Sequence, residues 1–173
     1  MKLAGIEIAE NINLNNKELI LNGAAIRTKF FVQTYIISLY TETPILHDKI
    51  GVESLIERCL RMQIITPLAT SKAVSENIQS GMKEGMGKLY HLNKETIEQL
   101  IHVLESSQIQ YKDIIDIYYS DKSELKIFKN GKEIYSNKDG KLFAETIFGI
   151  YLGRNPKDRK IKEALLTGHH HSR

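Results

Sequence analysis

Asn22-Gly-Ala-Ala-Ile-Arg27-Thr-Lys-Phe-Phe31-Val-Gln-Thr34-Tyr35-Ile-Ile-Ser-Leu-Tyr40 is an apolar run rich in β-branched and aromatic residues, with no acidic residue from end to end. One arginine, Arg27, sits inside it. A guanidinium beside so much apolar surface is costly unless an anion meets it. Three partners are open: a carboxylate from elsewhere in the chain, solvent reached by snorkelling, or an anionic ligand. On a regular strand Arg27 and Tyr35 share a face and Thr34 points away. About eight residues of straight strand cover roughly 26 Å. The pair can therefore hold one small group only if the chain bends between about Arg27 and Phe30. A bend that resets the alternation would return Thr34 to the site.

The neighbouring segments extend the strand reading. Residues 4–8 alternate as a first strand, and a polar interval from Asn11 to Asn16 leads to strands at 18–26 and about 31–41. Pro44 to Lys49 reads as a loop, 52–57 as a short helix and 58–66 as a strand that Pro67 ends. A helix then runs from Ser71, a candidate N-cap, to about Lys83, with Val74, Ile78 and Met82 on one face. A second begins at Asn93 and carries the stripe Ile97, Leu100, Ile101, Leu104. Strands are predicted at 111–120, 124–129 and 132–136, the last two joined by Asn130-Gly131, the clearest hairpin signal in the chain. An apolar helix over 142–152 follows, and Asn155-Pro156 predicts the start of a last helix to about Leu166. Strands then helices, twice, favour an antiparallel sheet with helices packed to one side, an α+β architecture.

Composition narrows the function. At 173 residues, 42% hydrophobic and 26% charged, the chain is expected to form a single domain over residues 1–168. A net charge of +3 without a basic–aromatic stripe argues against nucleic acid as partner. No transmembrane run and no signal peptide is visible. The single cysteine, Cys59, lies in an apolar alternation and reads as a buried inert thiol. His169-His170-His171 reads as a disordered tail or tag remnant over 169–173. The remaining histidines lack ligand spacing, so no metal is expected, and no cofactor either. Gly81 to Leu89 fails the spacing of a phosphate loop, and no Gly-x-Ser-x-Gly elbow is present.

Three blocks carry a family resemblance: Gly23 to Phe31 with Tyr35 and Tyr40; Pro67-Leu-Ala-Thr70-Ser71-Lys72-Ala-Val74-Ser-Glu76-Asn77; and Phe143-Ala-Glu145-Thr146-Ile-Phe-Gly149 through Pro156. In this order they resemble the chalcone isomerase-like family, in its bacterial branch. The resemblance implies an open-faced sandwich, a large antiparallel β-sheet with a layer of helices. It also implies a periplasmic location, since many bacterial relatives carry an export signal; a cytoplasmic location is the alternative.

Two activities occur in that family. In chalcone isomerases, intramolecular lyases that close a ring on a flavonoid-like conjugated ketone, the resemblance gives Arg27, Asn77 and Thr146 catalytic positions. Thr70 stands where plant enzymes have a tyrosine, and a short hydroxyl loses that phenol's reach. The chain around Arg27 and Lys29 is also shorter, so either Thr34 or Tyr35 takes the place of the third-strand threonine. Non-catalytic relatives clamp a fatty-acid carboxylate between an arginine and a tyrosine, a pattern that Arg27 with Tyr35, or Tyr40 as second choice, satisfies. A guanidinium–carboxylate contact with a phenol donor is strong in a dry pocket. Met62, Met82, Met86 and Phe31 are candidates for a pliable wall. The expected function is thus binding of a small amphipathic carboxylate through Arg27, Thr34, Tyr35, Tyr40, Thr70, Asn77 and Thr146. Isomerase chemistry is the alternative, and a scaffold in which Glu76 or Glu145 neutralises Arg27 is a third reading.

Overall fold

A computed structural model describes residues 1–45 and 57–167. Strands β1 (Lys2–Leu3) and β2 (Ile6–Glu7) pair with each other. Seven further strands form one antiparallel sheet in strict chain order. These are β3 (Asn11–Leu14), β4 (Lys17–Lys29), β5 (Val32–Thr41), β6 (Arg58–Ile64), β7 (Ile114–Tyr119), β8 (Leu125–Lys129) and β9 (Lys132–Asn137). The helices are α1 (Ser71–Met86), α2 (Leu89–Leu92), α3 (Lys94–Ser106), α4 (Lys141–Leu152) and α5 (Arg159–Thr167). This is the α+β open-faced sandwich expected from the sequence. All but the last residue of the expected short helix over 52–57, most of the loop before it and the histidine tail fall outside the described residues.

Alternation sorts the sheet into two faces. Tyr35, Ile37 and Leu39, then Leu60, Met62 and Ile64, then Ile115, Ile117 and Tyr119 are buried on the helix side. Ile37, Met62 and Ile115 are cross-strand partners in one row. The α3 stripe Ile97, Leu100, Ile101 and Leu104 is buried in the same core. Met62, Met82 and Met86 belong to it too. The opposite face packs Ile36, Tyr40, Cys59, Tyr118 and Phe128 against Ile8, Ile12 and Leu14. There Arg61 grips the buried Asp116 with two hydrogen bonds, Nε to Oδ1 at 2.7 Å and Nη2 to Oδ2 at 2.9 Å. Burial, with the Asp116 carboxylate nearby, pushes the Cys59 thiol well up, which leaves it inert.

Four hairpin turns among the described residues place two successive residues at positive φ: Ala4-Gly5 (48° and 78°), Asn15-Asn16 (53° and 61°), Phe30-Phe31 (48° and 64°) and Asn130-Gly131 (51° and 82°). The first of them splits the strand expected over 4–8 into β1 and β2. Asn130-Gly131 joins β8 to β9 as expected. Asn15-Asn16 corrects the reading of Asn11 to Asn16 as a plain polar interval. Ile12 and Leu14 are buried between exposed asparagines, and the segment pairs with β4 as strand β3. Phe31, expected to open the third strand, is instead part of the turn with Phe30: β4 runs on to Lys29 and β5 starts at Val32. Left-handed backbone costs a non-glycine residue about 1–2 kcal/mol.

Two helix starts differ from expectation. Thr70, rather than Ser71, caps α1, accepting from Ala73 N at 3.2 Å. The last helix begins at Arg159, not near Pro156. Lys157 N donates to Ile150 O at 3.0 Å, holding that segment against the end of α4. The Oδ1 of Asp158 then accepts from Lys160 N (2.9 Å) and Ile161 N (3.3 Å), which makes it the cap.

Helix α5 reaches β4 at a bulge where Asn22 is the extra residue. Its Nδ2 donates to Leu165 O at 2.7 Å, and its Oδ1 accepts from Ile45 N at 2.8 Å. A Cβ on Gly23 would collide with Ala164 O and lie 2.7 Å from Leu165 O. Gly23→Ala is therefore expected to destabilise the protein by about 1–3 kcal/mol. Urea unfolding reads this directly; an unchanged midpoint would contradict the close approach.

Candidate functional site

The turn at Phe30-Phe31 brings Arg27 and Tyr35 opposite each other as cross-strand partners. This is the bend that a shared site requires, placed at the hairpin tip. The register then slips: Arg27 pairs with Tyr35 and Thr28 with Gln33, which leaves Thr34 as a bulged residue. Thr34 Oγ1 donates to Arg27 O at 2.9 Å. Because the bulge resets the alternation, Thr34 and Tyr35 both line one cleft with Arg27. The two alternatives of the sequence, Thr34 and Tyr35, thus lie side by side in the lining of this cleft.

That cleft, about 530 Å³, lies between the β4–β5 hairpin and α1. Phe30, Val32, Leu68, Ala69, Ala73 and Val74 form its apolar wall, while Arg27, Thr34, Tyr35, Asn77, Ser80 and Lys157 supply polar groups. Its volume is within the range of small-molecule sites.

Behind Arg27 lies a chain of buried polar groups. The Tyr35 and Tyr151 hydroxyls are hydrogen-bonded at 2.9 Å, and Asn77 Nδ2 donates to Tyr151 Oη at 3.1 Å. Burial raises the Tyr35 phenol above its ordinary value of 10, against the opposing pulls of its Tyr151 hydrogen bond and of the Arg27 charge. Tyr151 is pushed higher still by its complete burial and by Tyr35 beside it. Both phenols are therefore protonated at neutral pH and available as donors.

Among the described residues, Asp158 is the one carboxylate within ion-pair range of Arg27, with Oδ2 3.9 Å from Nη1. That separation is beyond a hydrogen bond. Asp158 also uses its other oxygen as the α5 cap. Both side chains are partly exposed, 21% for Arg27 and 39% for Asp158, so the pair contributes at most about 1 kcal/mol. Glu76 and Glu145, weighed as internal partners, pair instead with Lys72 and Lys141 at 3.8 Å each.

The remaining sequence-derived candidates sit elsewhere. Tyr40 is buried on the opposite face of the sheet, donating to Ala9 O at 2.8 Å, and burial pushes its phenol up to about 12. Thr70 caps α1 and is exposed. Thr146 Oγ1 donates back to Leu142 O at 2.7 Å and lines a second cleft of about 540 Å³ between α1 and α4. Glu84, Glu145 and Arg154 make that second cleft more polar. Phe31 is fully exposed at the turn rather than part of the cleft wall. Sequence reasoning did not single out Tyr151 or Asp158. A tyrosine within an apolar helix, whose hydroxyl needs a buried partner, was the available signal for Tyr151.

Sheet, helical layer and lateral cleft define an open-faced α+β sandwich with a site of ligand size. The chain belongs to the chalcone isomerase-like family, whose model matches residues 1–167. Its structure is similar to that of a fatty-acid binding protein of Arabidopsis thaliana, with a TM-score of 0.74 at 18% identity, covering 94% of this chain and 92% of that one. Sequence comparison with characterised proteins returns no significant match.

The buried phenols predict a pH dependence. Raised folded-state values mean that the stability contributed by neutral Tyr35 and Tyr151 is complete below pH 10, where the unfolded phenols titrate, and is lost as pH rises above it. Tyr151→Phe should weaken this alkaline loss and cost about 1 kcal/mol at neutral pH by unpairing Asn77 and Tyr35. Unfolding midpoints measured from pH 7 to 11 check both; equal alkaline slopes in the two proteins would contradict the assignment.

Proposed function

We propose that the protein binds an amphipathic carboxylate of the fatty-acid type in the cleft at the β4–β5 hairpin, without turnover. The observation that carries this reading is the half-compensated Arg27. Its guanidinium faces an apolar-walled cleft beside Tyr35, and its nearest carboxylate among the described residues stands 3.9 Å away. An incoming carboxylate can approach to hydrogen-bond distance and displace Asp158, whose role as the α5 cap remains. Tyr35 can supply a further donor when Tyr151 donates to it, and the acyl chain can lie along Val32, Leu68, Ala73 and Val74. The shared fold with a protein described as fatty-acid binding supports the same class of ligand.

Ring closure of the chalcone type asks Arg27, Asn77 and Thr146 to act on one substrate. Arg27 and Asn77 share a cleft, whereas Thr146 lines the neighbouring one, so binding is the reading we adopt.

Arg27→Ala is expected to weaken binding of a soluble medium-chain fatty acid by about 10- to 100-fold, the loss of a charged hydrogen-bonded contact. Asp158→Asn should tighten it severalfold by removing the competing carboxylate. Calorimetric titration measures both, with the fatty alcohol of equal length as control. Equal affinities for acid and alcohol, or an unaltered Arg27→Ala variant, would overturn the proposal.

A further inference from the structure

The four two-residue hairpin turns among the described residues use different chemistry. Three are built from Ala-Gly, Asn-Asn and Asn-Gly, each with at least one residue that accepts left-handed backbone readily. The remaining one forces the same backbone on two phenylalanines and presents them to solvent, Phe30 84% and Phe31 102% exposed. Leu68, on the other wall of the same cleft, is 71% exposed. Neither turn geometry nor core packing accounts for aromatic side chains there.

We propose that this tip docks onto an anionic lipid surface, with Phe30, Phe31 and Leu68 entering the interface. Three observations favour a bilayer over a protein partner. First, the tip is a convex two-residue protrusion, far short of the roughly 800 Å² per partner that a stable protein interface buries, whereas a lipid interface needs no shaped counterpart. Second, the charge is complementary: Arg27 and Lys29 are the charged residues between Asn22 and Thr41, and the Lys29 Nζ lies 5.7 Å from the Phe30 ring centroid. Lys157 adds a cation at the same cleft, whose one acidic lining residue, Glu76, is paired with Lys72. Third, Phe30 and Leu68 belong to the cleft wall, so docking brings the cleft mouth to the membrane. The inference goes beyond the carboxylate-binding reading and stands or fails independently of it.

The chain contains no tryptophan, so Phe31→Trp installs a single reporter at the tip. With vesicles of phosphatidylcholine mixed with phosphatidylglycerol, its emission should shift to the blue and be quenched by brominated acyl chains, with much smaller changes on phosphatidylcholine alone. In cosedimentation, Phe31→Gly should reduce partitioning about tenfold or more, and Lys29→Gln about fivefold. Phe31→Gly relieves left-handed strain, so its unfolding midpoint should equal or exceed that of the parent protein. Phe31 does not line the cleft, so its calorimetric affinity for a soluble medium-chain fatty acid should be unchanged. Emission unchanged by anionic vesicles, or undiminished sedimentation of Phe31→Gly, would overturn the proposal. A tip shielded by a protein partner but never by vesicles would overturn it as well.

Discussion

A guanidinium at the edge of an apolar sheet must be compensated, and here the compensation is divided. Asp158 lies 3.9 Å from Arg27 while its other oxygen caps α5. Tyr35 stands across the hairpin, tied through Tyr151 to Asn77 on α1. Each contact joins Arg27 to a different part of the fold: the last helix, the neighbouring strand, and α4 with α1. None provides a hydrogen-bonded carboxylate among the described residues. The arrangement holds the cation in place, partly desolvated, with room for one more anion beside it.

The bulge at Thr34 makes this possible. On an unbroken ladder Thr34 and Tyr35 would point to opposite faces of the sheet. With one extra residue in β5, both reach the cleft, and the bulged hydroxyl is anchored on the carbonyl of Arg27 itself. The second bulge, at Asn22, performs a comparable task at the other end of the same hairpin by letting α5 rest on β4. Through α5, that contact also fixes where Asp158 stands.

Much of the fold could be read from the sequence because burial alternates strongly. The strands flanking Asn130-Gly131, the α3 stripe and the apolar α4 are all near their expected places. Strand β3 was obscured because its Asn-rich solvent face masks two buried residues, Ile12 and Leu14. The turn at Phe30-Phe31 was obscured for the opposite reason, since its residues have strand propensity and occupy left-handed backbone against it. At the site, Arg27, Thr34, Tyr35 and Asn77 come together in one cleft. Tyr40 lies on the other face, since five residues along a strand reverse the side-chain direction. Thr146 is separated by helix packing that no local pattern encodes. Tyr151 and Asp158 act through contacts across 116 and 131 residues of sequence (151 − 35 and 158 − 27), which periodicity cannot reveal.

In the proposed binding mode Arg27 receives the carboxylate of an amphipathic ligand. Carbon-13 NMR of a carboxyl-labelled fatty acid on the protein tests it most directly. A carboxylate held by Arg27 should give a distinct bound resonance whose titration lies below the ordinary carboxylate range, because the guanidinium favours the ionised form. A bound carboxyl that titrates as it does in free solution, or no bound resonance at all, would contradict it.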